Sequence, residues 1–204
     1  MGYSSLCANS TGCRNVAIGR NAGCGNTSGI ENVTAGFYAG LSITTGKRNT
    51  ILGTQGSNDL STGDNNHTIG DNVDYGEIFN LTTHDNRIII GNNTTSNAYV
   101  KVAWTVTSDK RDKVDFGTIP HGLDFVNQLK PTSFWFRKNR DTDEKHGEQR
   151  YGFLAQDILA LEGDNPVIID TEQEDHLKYK GEHLVPVLVN AIKELAAKVT
   201  ALEA

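Results

Sequence analysis

Three columns of residues recur in fixed phase through the first part of the chain. Gly12, Gly29, Gly46 and Gly63 are each 17 residues apart. So are Asn15, Asn32, Asn49 and Asn66, and so are Gly19, Gly36, Gly53 and Gly70. Self-similarity held over four copies restricts the fold to a stacked array in which each copy packs on its neighbours. One copy holds only a short alternation such as Val16-Ala17-Ile18, too small to bury itself. Gly and Asn flank it and supply turns, because both tolerate positive φ. Stacking then builds a thin continuous core and pairs the strand edges. The expected architecture over residues 1–107 is a mainly β repeat shaft, a solenoid or another stacked array. A degenerate fifth copy is expected at Asn86-Arg87-Ile88-Ile89-Ile90-Gly91, with one extra residue between Asn and Gly. Gly2 falls in phase with Gly19, so the sequence is expected to open inside a repeat of a longer protein.

Charge divides the 204-residue chain. Before Ser108 the basic residues are Arg14, Arg20, Lys47, Arg48, Arg87 and Lys101, and acids are few. After it Lys, Arg, Asp and Glu are dense, and most of the formal net charge of −6 lies there. No basic stripe marks a nucleic-acid footprint. No run of about 18 apolar residues marks a membrane span. The first residues lack the basic and apolar regions of a signal peptide. Cys7, Cys13 and Cys24 are odd in number and have no CxxC spacing, so packing is expected rather than a disulfide or a metal site. No cofactor is expected.

Several elements are legible after the repeats. Residues 97–107 are rich in β-branched and aromatic residues and read as a strand. Leu123, Val126 and Leu129 have helical spacing, and Pro131 ends the helix. Thr132 to Phe136 reads as a strand and Arg137 to Arg150 as a charged loop. The acidic run Asp141-Thr142-Asp143-Glu144 in that loop fits a solvated tip better than a cation site. Phe153 to Leu159 reads as a helix start and Val167-Ile168-Ile169 as a buried strand. Leu188, Ile192, Leu195, Val199 and Leu202 alternate by four and three along residues 184–204, an a/d seam. The seam spans about two heptads, too short for an isolated pair of helices. A trimer held by the rest of the domain accounts for it; packing on its own domain is the other reading.

Two resemblances sharpen these expectations. The Asn-x-x-x-Gly copies, followed by Ala22-Gly23 and Ala39-Gly40, resemble the head repeats of trimeric adhesins and the shafts of phage fibres, which implies a β-solenoid or a trimeric β-prism over the shaft. The second resemblance rests on four stretches in order. They are Ser108-Asp109-Lys110-Arg111-Asp112-Lys113, Gly122 to Pro131, Tyr151-Gly152-Phe153-Leu154-Ala155-Gln156-Asp157, and Leu184 to Leu195. Together they resemble the C-terminal intramolecular chaperone domain of phage tail spikes and tail fibres, the self-cleaving module of the endosialidase type. That implies a small α+β domain over 108–204 ending in a coiled-coil helix, in a homotrimer. It implies a fibre, spike or appendage of a virion, made in the host cytoplasm. The chain's partner would be itself, with a host cell-surface glycan or protein as receptor, and with neither nucleic acid nor membrane insertion.

The resemblance also implies chemistry: hydrolysis of the Thr107–Ser108 bond, with Ser108 as nucleophile and Lys113 as base. A serine hydroxyl attacks only when a neighbour takes its proton. Lysine can do that only in its neutral form, which burial favours. Five residues on a turn let the amine fold back to the hydroxyl, and intramolecularity supplies proximity. Where the family has an aliphatic residue, this chain has Asp112, whose charge is expected to favour the ammonium form of Lys113. The plain alternative is that Ser-Asp caps a helix and Lys113 is a solvated charge. Two functions follow: a chaperone that trimerises the shaft and is then cut away, or an uncleaved structural tip for host attachment. A carbohydrate hydrolase in the shaft lacks a paired-carboxylate site in residues 1–107.

Overall fold

The computed structural model describes residues 2–73 and 79–203. By compactness the chain forms two units, Met1–Asn97 with Arg137–His146, and Ala98–Phe136 with Gly147–Ala204.

The first unit contains a β-solenoid of about four turns. Its strands are β1 (Val16–Ile18), β2 (Val33–Ala35), β3 (Thr50–Leu52), β4 (His67–Ile69) and β5 (Ile88–Ile90). They lie in sequence order in one parallel sheet, with Val16 opposite Val33, Val33 opposite Thr50 and Thr50 opposite His67. The choice left open by the sequence is therefore settled: one chain closes its own solenoid.

Each repeat column has a structural job. The asparagines form a ladder. Asn49 Nδ2 donates to Asn32 Oδ1 (3.1 Å) and to Gly63 O (2.8 Å). The Asn49 amide N–H donates to the same Asn32 Oδ1 (3.0 Å), and Asn66 N–H donates to Asn49 Oδ1 (2.9 Å). Asn32, Asn49 and Asn66 are buried, and the ladder satisfies amides that would otherwise be costly to bury. At Gly19, Gly36, Gly53 and Gly70, φ lies between 127° and 140°. A Cβ at Gly36 would collide with the carbonyl of Gly53, so these turns need glycine for both conformation and room. A fourth column was not read from the sequence. Ser10, Thr27, Thr44 and Ser61 each donate a hydroxyl to the carbonyl of the corresponding residue one rung on, at 2.9 to 3.2 Å. Ser and Thr interchange there, which hides the column from a search for identical residues.

Two expectations for the repeats are corrected. In the fifth copy β4 pairs β5 with His67 opposite Ile88, an offset of 21 residues. The ladder position is thus Arg87, whose N–H bonds to Asn66 Oδ1 (3.1 Å), while Asn86 pairs with Asn65 (2.8 Å). The four additional residues enter before the strand, so no residue is inserted between Asn and Gly. Cys7 and Cys24 are not merely packed: they form a disulfide, leaving Cys13 free. The period itself explains the pairing, because residues 17 apart stack on adjacent rungs with Cα atoms 5.0 Å apart, inside disulfide range.

The second unit is built on α1 (Leu123–Gln128), α2 (Ala155–Glu162) and α3 (Leu184–Glu203). β6 (Thr132–Arg137) and β7 (Lys145–Gly152) form a two-stranded sheet, and β8 (Ile169–Asp170) pairs antiparallel with β9 (Lys178–Tyr179). The charged loop is accordingly shorter than expected, since β7 takes its second half. Asp143 and Glu144 near its tip pair with Arg137 (2.9 Å) and Lys138 (3.1 Å). The short β8 starts later than the Val167 expected: Ile168 and Ile169 are buried, while Val167 is exposed. Phe125, Ile158, Ile168, Ile169, Leu184 and Val187 make the core. Pro186 sits in the first turn of α3, where its missing N–H costs no helix bond.

One carboxylate organises the loop after α2. Glu162 accepts from the backbone N–H groups of Val167 (2.8 Å), Ile168 (2.6 Å) and Ile169 (2.9 Å). Glu162→Ala is expected to destabilise this unit by about 2 kcal/mol, since hydrogen bonds to a charged group are the stronger class. A urea titration checks this, and an unchanged midpoint would show that the three contacts are dispensable.

Candidate self-processing site

Ser108 and Lys113 are brought together. Lys113 Nζ donates to Ser108 Oγ at 2.6 Å. The chain between them folds as one 3-10 turn, Lys110–Asp112. Asp109 caps it by accepting from Arg111 N–H at 2.9 Å. Asp112 N–H donates to Asp109 O (3.1 Å) and Lys113 N–H to Lys110 O (3.2 Å). The turn reverses the chain far enough for the lysine to reach back. Of the Ser-Asp pair the cap is Asp109, and the Ser108 hydroxyl accepts from the Lys113 amine.

One ion pair lies within the turn. Arg111 clamps Asp109 with a 2.6 Å ion pair, and that guanidinium, with the backbone bond, holds the Asp109 carboxyl below its usual range. Asp109 belongs to the Ser-Asp capping pair read from the sequence, and an Asp two residues before a backbone donor is an ordinary capping signal. Among the described residues no ion pair joins Asp112 to Lys113.

Ser108, Lys113 and Thr107 are all exposed. The exposure extends over the whole arm from residue 97 to 120. Tyr99 (93%), Trp104 (77%) and Val114 (82%) are among its bare apolar side chains. The strand expected over 97–107 is absent. A strand needs a partner edge, and a single chain offers this arm none.

The C-terminal seam has the same property. α3 turns Leu184, Val187 and Ala191 into its own domain. Leu188 (37%), Ile192 (65%), Leu195 (50%), Val199 (44%) and Leu202 (87%) lie uncovered. The helix therefore carries two stripes, one packed within the chain and one not. α3 also positions the start of α1. Glu194 accepts from Leu123 N–H (2.8 Å), and Asn190 Nδ2 donates to His121 O (3.3 Å). A Cβ at Gly122 would collide with the Glu194 carboxylate, which accounts for the glycine. Neither contact was read from the sequence, because each joins residues some 70 positions apart.

The match to known proteins begins at Ser108 itself. Residues 108–165 match the family described as chaperone of endosialidase. The chaperone-of-endosialidase segment takes in the Ser108–Lys113 turn, α1, β6, β7 and α2, and ends before α3. No curated protein and no solved structure matches the chain. A solenoid shaft followed by this segment is the arrangement expected of a fibre with a chaperone domain.

Proposed function

We propose that this chain is the C-terminal part of a phage tail fibre, spike or appendage. In this reading the chaperone-of-endosialidase domain brings three chains together, assists folding of the β shaft, and is then released by hydrolysis at Thr107–Ser108. The observation that carries it is the 2.6 Å approach of Lys113 Nζ to Ser108 Oγ at the first residue of the family match. The neutral amine would take the hydroxyl proton as Oγ attacks the Thr107 carbonyl carbon. The peptide nitrogen leaves with a proton, and water hydrolyses the resulting ester. The cut is a single turnover within one chain.

A lysine works as a base when burial favours its neutral form, and the isolated chain leaves Lys113 exposed. Assembly answers this need, because the apolar arm around the site and the bare stripe of α3 both call for cover. Association would therefore precede cutting. Slow, non-local β topologies profit from such help, and removal of the helper leaves a kinetically trapped fibre. The virion is the corresponding location. Intact-mass measurement of the full chain tests the reading: two species, 1–107 and 108–204, support it.

The uncleaved tip is the second reading, and Asp112 favours it, standing where the family has an aliphatic residue. Asp112→Val is then expected to raise the cleavage rate about threefold, the size of a solvent-screened charge interaction. Mass spectrometry against time reads the rate. An unchanged rate would remove Asp112 from the account.

A further inference from the structure

The interior of the solenoid changes along its length. One column reads Asn9, Asn26, Ile43, Leu60 and Leu81, and from Asn26 onward its members are buried. The apolar core of the shaft runs from Ala39 to Ile89 and takes in Ile43, Ile51, Leu60 and Leu81. Before Ala39 the buried apolar side chains among the described residues are two alanines, Ala17 and Ala22. Asn26 stands there in the place that Ile43 takes one turn later. Its Nδ2 donates to Asn9 Oδ1 (2.7 Å) and to Gly29 O (3.1 Å). Its Oδ1 is buried with no hydrogen-bond partner. An unpaired buried acceptor is costly, and two alanines bury little apolar area to offset it. In a stacked array each turn depends on its own stability and on its neighbours, so these two turns are the weakly held ones. Cys7–Cys24 joins them. Around the bond, Leu6 N–H donates to Ala22 O (3.1 Å), Ala8 N–H to Cys24 O (3.0 Å) and Ser10 N–H to Thr27 O (2.9 Å). Cys7 is exposed and therefore open to thiol exchange.

We propose that Cys7–Cys24 is a redox latch on the shaft. With the bond closed, the two turns before Ala39 are held as part of the solenoid. With it open, they loosen together while the turns from Ala39 onward stay firm. Closing transfers two electrons and two protons from the Cys7 and Cys24 thiols to glutathione disulfide, by way of a mixed disulfide. One protein disulfide forms and two glutathione thiols leave. Excess glutathione thiol runs the same exchange backward. A reducing compartment thus keeps the two turns loose, and oxidising surroundings fasten them. The bond spans 17 residues and removes much of the freedom the loosened turns would gain. The latch lies within one chain, so it needs neither assembly nor the cut at Thr107–Ser108.

Hydrogen exchange of the full chain tests the latch, read by mass spectrometry after equilibration with glutathione disulfide or with reduced glutathione. Cys13→Ser is introduced throughout, which leaves Cys7 and Cys24 as the sole pair. Segment 6–10 is expected to exchange at least about tenfold faster in the reduced protein. Segment 50–55, whose Thr50, Gly53 and Gln55 amides bond within the apolar turns, is expected to keep its rate. Cys7→Ser is expected to exchange like the reduced protein in both buffers. Equal rates in the two buffers would overturn the proposal, as would faster exchange along the whole shaft. Thiols at Cys7 and Cys24 that persist in glutathione disulfide, counted by alkylation, would also overturn it. Should Cys7→Ser fail to fold, the comparison of the two buffers decides alone.

Discussion

Ser108→Ala is expected to yield a single intact chain under conditions in which the wild type separates into 1–107 and 108–204. The substitution removes the hydroxyl that Lys113 Nζ approaches, and with it the proton the lysine would take. Loss of a nucleophile from a cooperating pair lowers the rate by about a thousandfold or more. Lys113→Arg is expected to be as inactive as Ser108→Ala. A guanidinium can make a similar hydrogen bond but does not give up its proton. That pair of variants separates chemistry from folding: both should retain the turn, capped by Asp109, and both should assemble. Cleavage surviving in Ser108→Ala would mean that another group attacks. A wild type that stays whole through long incubation would leave the uncleaved tip as the function.

The second large effect belongs to the shaft. Asn49→Leu is expected to destabilise the solenoid by about 3–5 kcal/mol, as several buried polar groups lose their partners at once. The isosteric leucine strands the N–H of Asn66 and the carbonyl of Gly63, and it leaves the Asn32 amide oxygen with only the backbone N–H of residue 49. The next rung does not compensate, because the Asn66 side-chain amide is held by His84 O (2.7 Å). Denaturation followed by β-sheet circular dichroism reads the loss. A change under about 1 kcal/mol would show that the ladder aligns rungs without stabilising them.

The repeats made the shaft legible because stacking forces a residue in one rung onto its equivalent in the next. Invariant Asn and Gly columns therefore report hydrogen bonding and turn geometry directly. The same logic failed where residue types interchange, as in the Ser/Thr column, and where the phase slips. Arg87 stands at the end of the asparagine ladder, and a search for Asn places Asn86 there instead. It failed for Cys7 and Cys24 because a cysteine count carries no distance, although their 17-residue separation did.

At the site, the family resemblance supplied the candidate pair Ser108 and Lys113, while the turn that joins them became visible only in three dimensions. Which oxygen caps the turn depends on backbone direction, and the structure gives that task to Asp109. The contacts of Glu194 with Leu123 and of Asn190 with His121 depend on α3 returning to α1, which local pattern cannot express.

The sequence by itself determined the period of the shaft, the apolar seam of α3 and the five-residue separation of Ser108 and Lys113, since each is a matter of spacing along a chain. Only the tertiary structure decided that a single chain closes its own solenoid, that the strand reading of 97–107 fails in one copy, and that whole apolar faces remain bare. Those outcomes depend on which surfaces meet, and a surface is created when distant segments pack.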